Sequence, residues 1–184
     1  MNLAGRLIVM ALLVGLTPVL CPAQDSSKDP ARAMRDLRVR FLSSSAASLN
    51  LRPTKEFPRV FGVVMDWPLD DNTATIVSAM DGSASLYTTT TLGILGGASH
   101  ESVRVAARRF VMAAESLHDA AVPTASYPYP AKGKVRFYLR TFRDVRVIET
   151  DAASAYSTSG PYSGFFRAGQ AVLTELRKVV EARR

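Results

Sequence analysis

Two histidines and one cysteine are all that this 184-residue chain offers among the side chains that most readily bind soft metals or shuttle protons. His100 and His118 fall on one expected helix, roughly 27 Å apart at about 1.5 Å per residue, and cannot share an ion. With Cys21 near the N-terminus, no conventional structural zinc site can be assembled. A catalytic one would need a single histidine and carboxylates from distant segments. The sequence holds no Gly-x-Ser-x-Gly nucleophile elbow and no Ser-x-x-Lys acylation pair. It also lacks a dinucleotide fingerprint and a complete phosphate-binding loop. No metal and no cofactor are therefore expected.

Two groups of residues have types and spacing suited to ligand binding. In the first, Gly96 and Gly97 precede Ser99, His100 and Arg104 at an expected helix start, where free N–H groups and side-chain donors could hold an anion. The plainer reading is that the glycines permit a sharp turn and Ser99 caps the helix, with His100 solvated in its first turn. In the second, Arg136, Tyr138 and Arg140 alternate along one face of an expected strand, with Arg143 and Arg146 nearby. Such a face could follow an anionic polymer by charge and stacking, or lie covered by a helix and paired with acids. Export makes nucleic acid an unlikely partner for it.

Three further features carry weaker chemistry. Asp66, Asp70 and Asp71 with Asn72 offer oxygen ligands for calcium, but without the alternation and distal glutamate of a calcium loop. Asp66 with a distant acid such as Glu149 would make a carboxylate pair of the kind used in glycoside hydrolysis, if the fold brought them close. Tyr127-Pro128-Tyr129-Pro130 has the form of an extended recognition segment, or of a stiffened connection. Trp67 is assigned to the core or its rim.

The elements that position these residues follow an export signal. Arg6 supplies a positive charge, residues 7–16 are apolar, Thr17-Pro18 breaks the run, and Cys21-Pro22-Ala23 suits cleavage after Ala23. The apolar run is short of the roughly 20 residues a spanning helix requires, so no membrane span is expected in the mature chain. Cleavage would remove Arg6 and the only cysteine, leaving a basic protein without disulfides. Lipidation of Cys21 is the minor alternative, disfavoured by the bulk of Leu20 before it. The mature protein is thus expected to be periplasmic or secreted.

Residues 24–58 read as a polar arm with one short amphipathic helix over 31–42, on which Met34, Leu37, Phe41 and Leu42 share a side and Arg32, Arg35 and Arg38 occupy others. That helix either lies on a membrane surface or docks on its own domain. Residues 59–184 form a single domain. Strands are predicted over 60–65, 73–80 and 83–90, the last two joined by a tight hairpin with Asp81-Gly82 as its two loop residues. A longer turn over 67–72 links the first two. Val103, Ala107, Phe110, Ala114 and Leu117 mark a helix stopped by Pro123. Strands over 134–140 and 145–148 follow, then a polar stretch over 152–160. A last helix carries Phe165, Gly169, Val172, Leu176 and Val179 on its inner face.

The order β-β-β-α-β-β-α predicts an α+β fold: a two-layer sandwich of about five antiparallel strands and two amphipathic helices. The function expected from this inventory is an exported, non-catalytic binding module for a protein or an anionic envelope component. It would act through the Gly96 to Arg104 turn or the Arg136 face. The alternative is a small hydrolase or transferase for an anionic substrate, with His100 as acid or base and Arg104 as anion clamp.

Overall fold

A computed structural model describes residues 29–90, 93–94 and 96–182. The export signal, its cleavage point and the lipidation of Cys21 concern residues outside that set.

The fold is organised around one strand. β1 (Val60–Leu69) is buried from Val60 through Trp67, so both faces of the sheet at its centre must be covered. It pairs antiparallel with β2 (Asn72–Ala79) on one side and β6 (Lys134–Thr141) on the other. With β3 (Ala84–Thr88), β4 (Gly93–Ile94), β5 (Val122–Pro123) and β7 (Val145–Asp151), the sheet runs β4-β3-β2-β1-β6-β7-β5. It therefore has seven strands where about five are expected from sequence. The two additions, β4 and β5, are two-residue edge strands too short to leave a periodicity. Pro123 ends no helix. It lies in β5, an edge strand, where a residue without an N–H is tolerated.

Both hairpins differ in detail from the expected turns. Leu69 pairs with Asn72, so β1 and β2 are joined by Asp70-Asp71 alone, with Asp70 at φ 48° in the left-handed region that aspartate tolerates. The shorter turn draws Asp66 and Trp67 into the strand. At the second hairpin, Gly82 N–H donates to Ala79 O and Ala79 N–H to Ser83 O, which closes a loop of three residues rather than two. Gly82 takes the positive φ, 88°, and Asp81 does not; the Asp81 carboxylate accepts from the N–H and hydroxyl of Ser83.

Among the described residues four α-helices accompany the sheet: α1 (Pro30–Ser43), α2 (Glu101–Ser116), α3 (Ala152–Tyr156) and α4 (Ser163–Glu181). The stripes Val103, Ala107, Phe110, Ala114 and Phe165, Gly169, Val172, Leu176 are buried together with Val63, Met65 and Trp67. Phe137 of β6 stacks on Phe165 with ring centroids 4.4 Å apart, and Trp67 meets Phe166 edge-on at 6.0 Å. A methyl group at Gly169 would lie 2.7 Å from the Met65 sulfur, so the absence of a side chain there lets α4 sit close to β1.

The opposite face of the sheet is covered by α1, which adds a layer that the two-layer expectation lacks. Asp29 caps this helix by accepting from Arg32 N–H, and Pro30 opens it. Leu42, with Met34, Leu37 and Phe41, packs on Val64, Val77, Tyr87 and Tyr138. Gly62 makes room for the Phe41 ring, which would lie 2.7 Å from an added Cβ. Arg38, expected off the apolar side, sits on the docked side and is 2% exposed. Among the described residues no helix is long and apolar enough to cross a membrane.

Candidate functional site

Docking α1 on the sheet places two buried arginines on the same face, and the two have different surroundings. Arg38, four residues before Leu42 on the inner side of α1, meets Asp66 of β1. Asp66 shares the strand face of Val64 and is fully buried. Arg38 Nε donates to both carboxylate oxygens at 3.1 and 3.0 Å and Nη2 donates to Oδ2 at 2.5 Å. The Thr75 hydroxyl, across the ladder on β2, donates to Asp66 Oδ1 at 2.5 Å. Arg38 Nη1 donates to the Tyr127 carbonyl at 2.9 Å, and the guanidinium lies over the Tyr129 ring at 4.2 Å and the Tyr138 ring at 5.4 Å. Burial pushes the Asp66 carboxyl up, against the pull of Arg38 and Thr75. For Arg38 burial works against the charge, but the bonds to Asp66 outweigh it and hold the group above its ordinary value. Among the described residues the charged groups of Arg38 and Asp66 are matched to each other and to Thr75 and Tyr127 O, so the cluster braces α1 to the sheet.

The segment Tyr127-Pro128-Tyr129-Pro130 belongs to this brace. Pro128 O accepts from the Tyr138 hydroxyl at 2.6 Å and from Arg136 Nη1 at 3.0 Å, and Arg136 also pairs with Glu149, its neighbour across the β6–β7 ladder. Tyr138 is fully buried. The face of Arg136 and Tyr138 is therefore covered by a helix and a loop. The pairing of Asp66 with Arg38 and of Glu149 with Arg136 gives each acid a cationic partner of its own.

Arg140, two residues further along the same face of β6, makes no ion pair with an acid among the described residues. It is 7% exposed, yet among the described residues its guanidinium makes one hydrogen bond, from Nη2 to the carbonyl of Ser44 at the C-terminal end of α1. Its Nε has no hydrogen-bond partner among the described residues. The Phe61 ring lies 5.2 Å from it. Burial holds this guanidinium below its ordinary value, with only Tyr127 opposing. It lines an open pocket of about 430 Å³ between the end of α1 and the β6–β7 turn, together with Ser43, Ser44, Tyr127, Phe142 and Arg143. Arg143 is exposed and makes no ion pair among the described residues. Arg146 is drawn elsewhere, to Ala121 O at 3.0 Å and Asp144 at 3.6 Å.

The helix start at Gly96 to Arg104 is built differently from its sequence reading. Gly97 and Ser99 lie in a short 3₁₀ turn, His100 rather than Ser99 occupies the N-cap position, and it makes no capping bond through its side chain. Gly96 has φ 75°, which fits a sharp turn. Arg104 pairs with Glu101 one turn away, and its Cβ would lie 2.9 Å from a Cβ added at Gly82. Arg104 is thus engaged in packing the second hairpin and in a local ion pair. His118 is at the far end of α2, 2.8 Å from Asp119. Asp70 and Asp71 form the hairpin tip while Asp66 is buried in the strand. Among the described residues no three His, Cys, Asp or Glu side chains converge as a metal site would require.

Sequence reasoning missed Arg38 and the pocket at the end of α1. A signal for the first was present: an aspartate inside the apolar run of 60–67 must find a cation, and Arg38 is four residues from both Met34 and Leu42. Comparison with family models, with curated proteins and with solved structures found no match for this chain.

Proposed function

We propose that this protein is a non-catalytic binding module that takes an anionic ligand in the pocket at the end of α1, with Arg140 as its principal contact and Arg143 at its rim. In this reading it acts outside the cytoplasm, following the export signal in residues 1–23. The observation that carries the proposal is the guanidinium of Arg140: 7% exposed, with an unpartnered Nε and no ion pair to a carboxylate among the described residues. Removing a charge from water costs several kcal/mol unless an opposite charge compensates it. The Ser44 carbonyl and the negative end of the α1 dipole meet part of that cost. An anion would meet the rest and gain a contact strengthened by low local dielectric.

Melting curves of the purified protein with acetate, glucuronate, sulfate and phosphate test this, each repeated with Arg140→Met. A ligand at about a hundred times its Kd stabilises the folded state by about 2.7 kcal/mol, which for a domain of this size raises Tm by roughly 5–10 °C. The expected result is such a shift with at least one anion, absent in Arg140→Met. Shifts that persist in the variant, or no shift with any anion, would show that Arg140 serves only to hold the end of α1.

A further inference from the structure

The chemistry of the pocket around Arg140 narrows the ligand, and this step rests on the anion-binding reading above. The charged donors in its lining are the guanidinium groups of Arg140 and Arg143. Two of the hydroxyls at the end of α1 already spend their protons within the helix, Ser43 Oγ donating to Val39 O at 2.8 Å and Ser44 Oγ to Arg40 O at 2.6 Å. Their oxygens are left as acceptors. Half-buried Tyr127 and Phe142 form apolar walls. A complementary molecule carries one anionic group, hydroxyls that donate toward the serine oxygens, and an apolar face for the rings.

The anion is better a carboxylate than a phosphate. A planar carboxylate matches a guanidinium edge, and it brings a single charge. A phosphate dianion would meet the negative end of the α1 dipole and the Asp144 carboxylate, which lines the same pocket. We infer that the pocket around Arg140 binds a carboxylate-bearing sugar, a uronic acid unit of an acidic glycan, with the carboxylate on Arg140 and Arg143, hydroxyls on Ser43 and Ser44, and the ring against Tyr127 and Phe142.

Calorimetric titration of the purified protein with a galacturonic acid hexasaccharide, with the same oligomer fully methyl-esterified, and with inorganic phosphate separates the sources. The acid form is expected to bind at least tenfold more tightly than the ester, which keeps the sugar and removes the charge. Arg140→Met should lose at least tenfold for the acid form. Arg143→Ala, at an exposed position that folding does not depend on, should lose roughly threefold. Ester and acid binding equally would overturn both this inference and the anion-binding reading. Phosphate binding through Arg140 more tightly than the oligosaccharide would overturn the sugar and leave the anion site standing. Failure of the acid form to bind while the melting curves still respond to another anion through Arg140 would do the same.

Discussion

Arg38 of α1 and Arg140 of β6 are both buried between that helix and the sheet face it covers, at 2% and 7% exposure. Arg38 has a buried carboxylate, a backbone carbonyl and two tyrosine rings around it; Arg140 has one carbonyl and a phenylalanine ring. Burial depth alone therefore does not distinguish a brace from a site. What distinguishes them is whether the charge is compensated within the chain. Where it is, removing one partner strands the other in a low-dielectric interior. Where it is not, part of the cost of burying the charge is left unmet by the chain, and this is the part the proposed anion would offset.

The strongest way to break this comparison is to substitute the two arginines in turn. Arg38→Met leaves Asp66 buried and unpaired, which costs about 3–5 kcal/mol. For a domain of this size that lowers Tm by roughly 6–20 °C. Arg38→Met combined with Asp66→Leu should recover most of the loss, because it removes the stranded charge as well as its partner. Thermal melts of the two variants against the parent decide it. A double variant as unstable as the single one would mean that the packing of α1, and not the charge pair, sets the cost.

Arg140→Met should behave oppositely. It gives up one hydrogen bond to Ser44 O and relieves an uncompensated charge, so in buffer without a bound anion the net change should stay within about 1 kcal/mol. Denaturant unfolding measures it. A loss as large as that of Arg38→Met would place Arg140 among the braces and remove the contrast on which the proposed binding site rests.

The elements of this fold were largely legible in the sequence because their signals are local. The stripes of α2 and α4, the alternation of β6 and the turn chemistry near Asp81-Gly82 each fall within a few residues. The edge strands β4 and β5 were not legible, since two residues carry no period. The sites were legible only in part. Arg136, Tyr138 and Arg140 read as one alternating face, but whether each meets an acid depends on segments up to 96 positions away in sequence, as the contact of Arg140 with Ser44 shows. Asp66 falls outside the expected strand and is grouped with Asp70 and Asp71, because Pro68 and the following aspartates read as a longer break than the two-residue hairpin that forms. That displacement hid its pairing with Arg38.

A third arginine sharpens the comparison from the solvent side. The Arg59 side chain is 41% exposed and pairs with Glu115 at 2.6 Å and Asp119 at 2.9 Å. It is compensated like Arg38 but bathed in water and screened by salt, so its pairs should contribute little. The hydrogen bond from His118, then that from Arg59, holds the Asp119 carboxyl below its ordinary value of 3.8. A carboxylate lowered in the folded state contributes stability that is complete above its unfolded value and is lost as pH falls through the folded one. Unfolding measured from about pH 5 down to about pH 2 should therefore show a slightly shallower decline in Asp119→Asn than in the parent. Raising the salt to about 1 M should erase that difference while leaving the effect of Arg38→Met in place, because ions reach the exposed pair and not the buried one. If salt erased both, Arg38 and Asp66 would be accessible to solvent, and the distinction between a compensated brace and an open site would fail at its better-defined end.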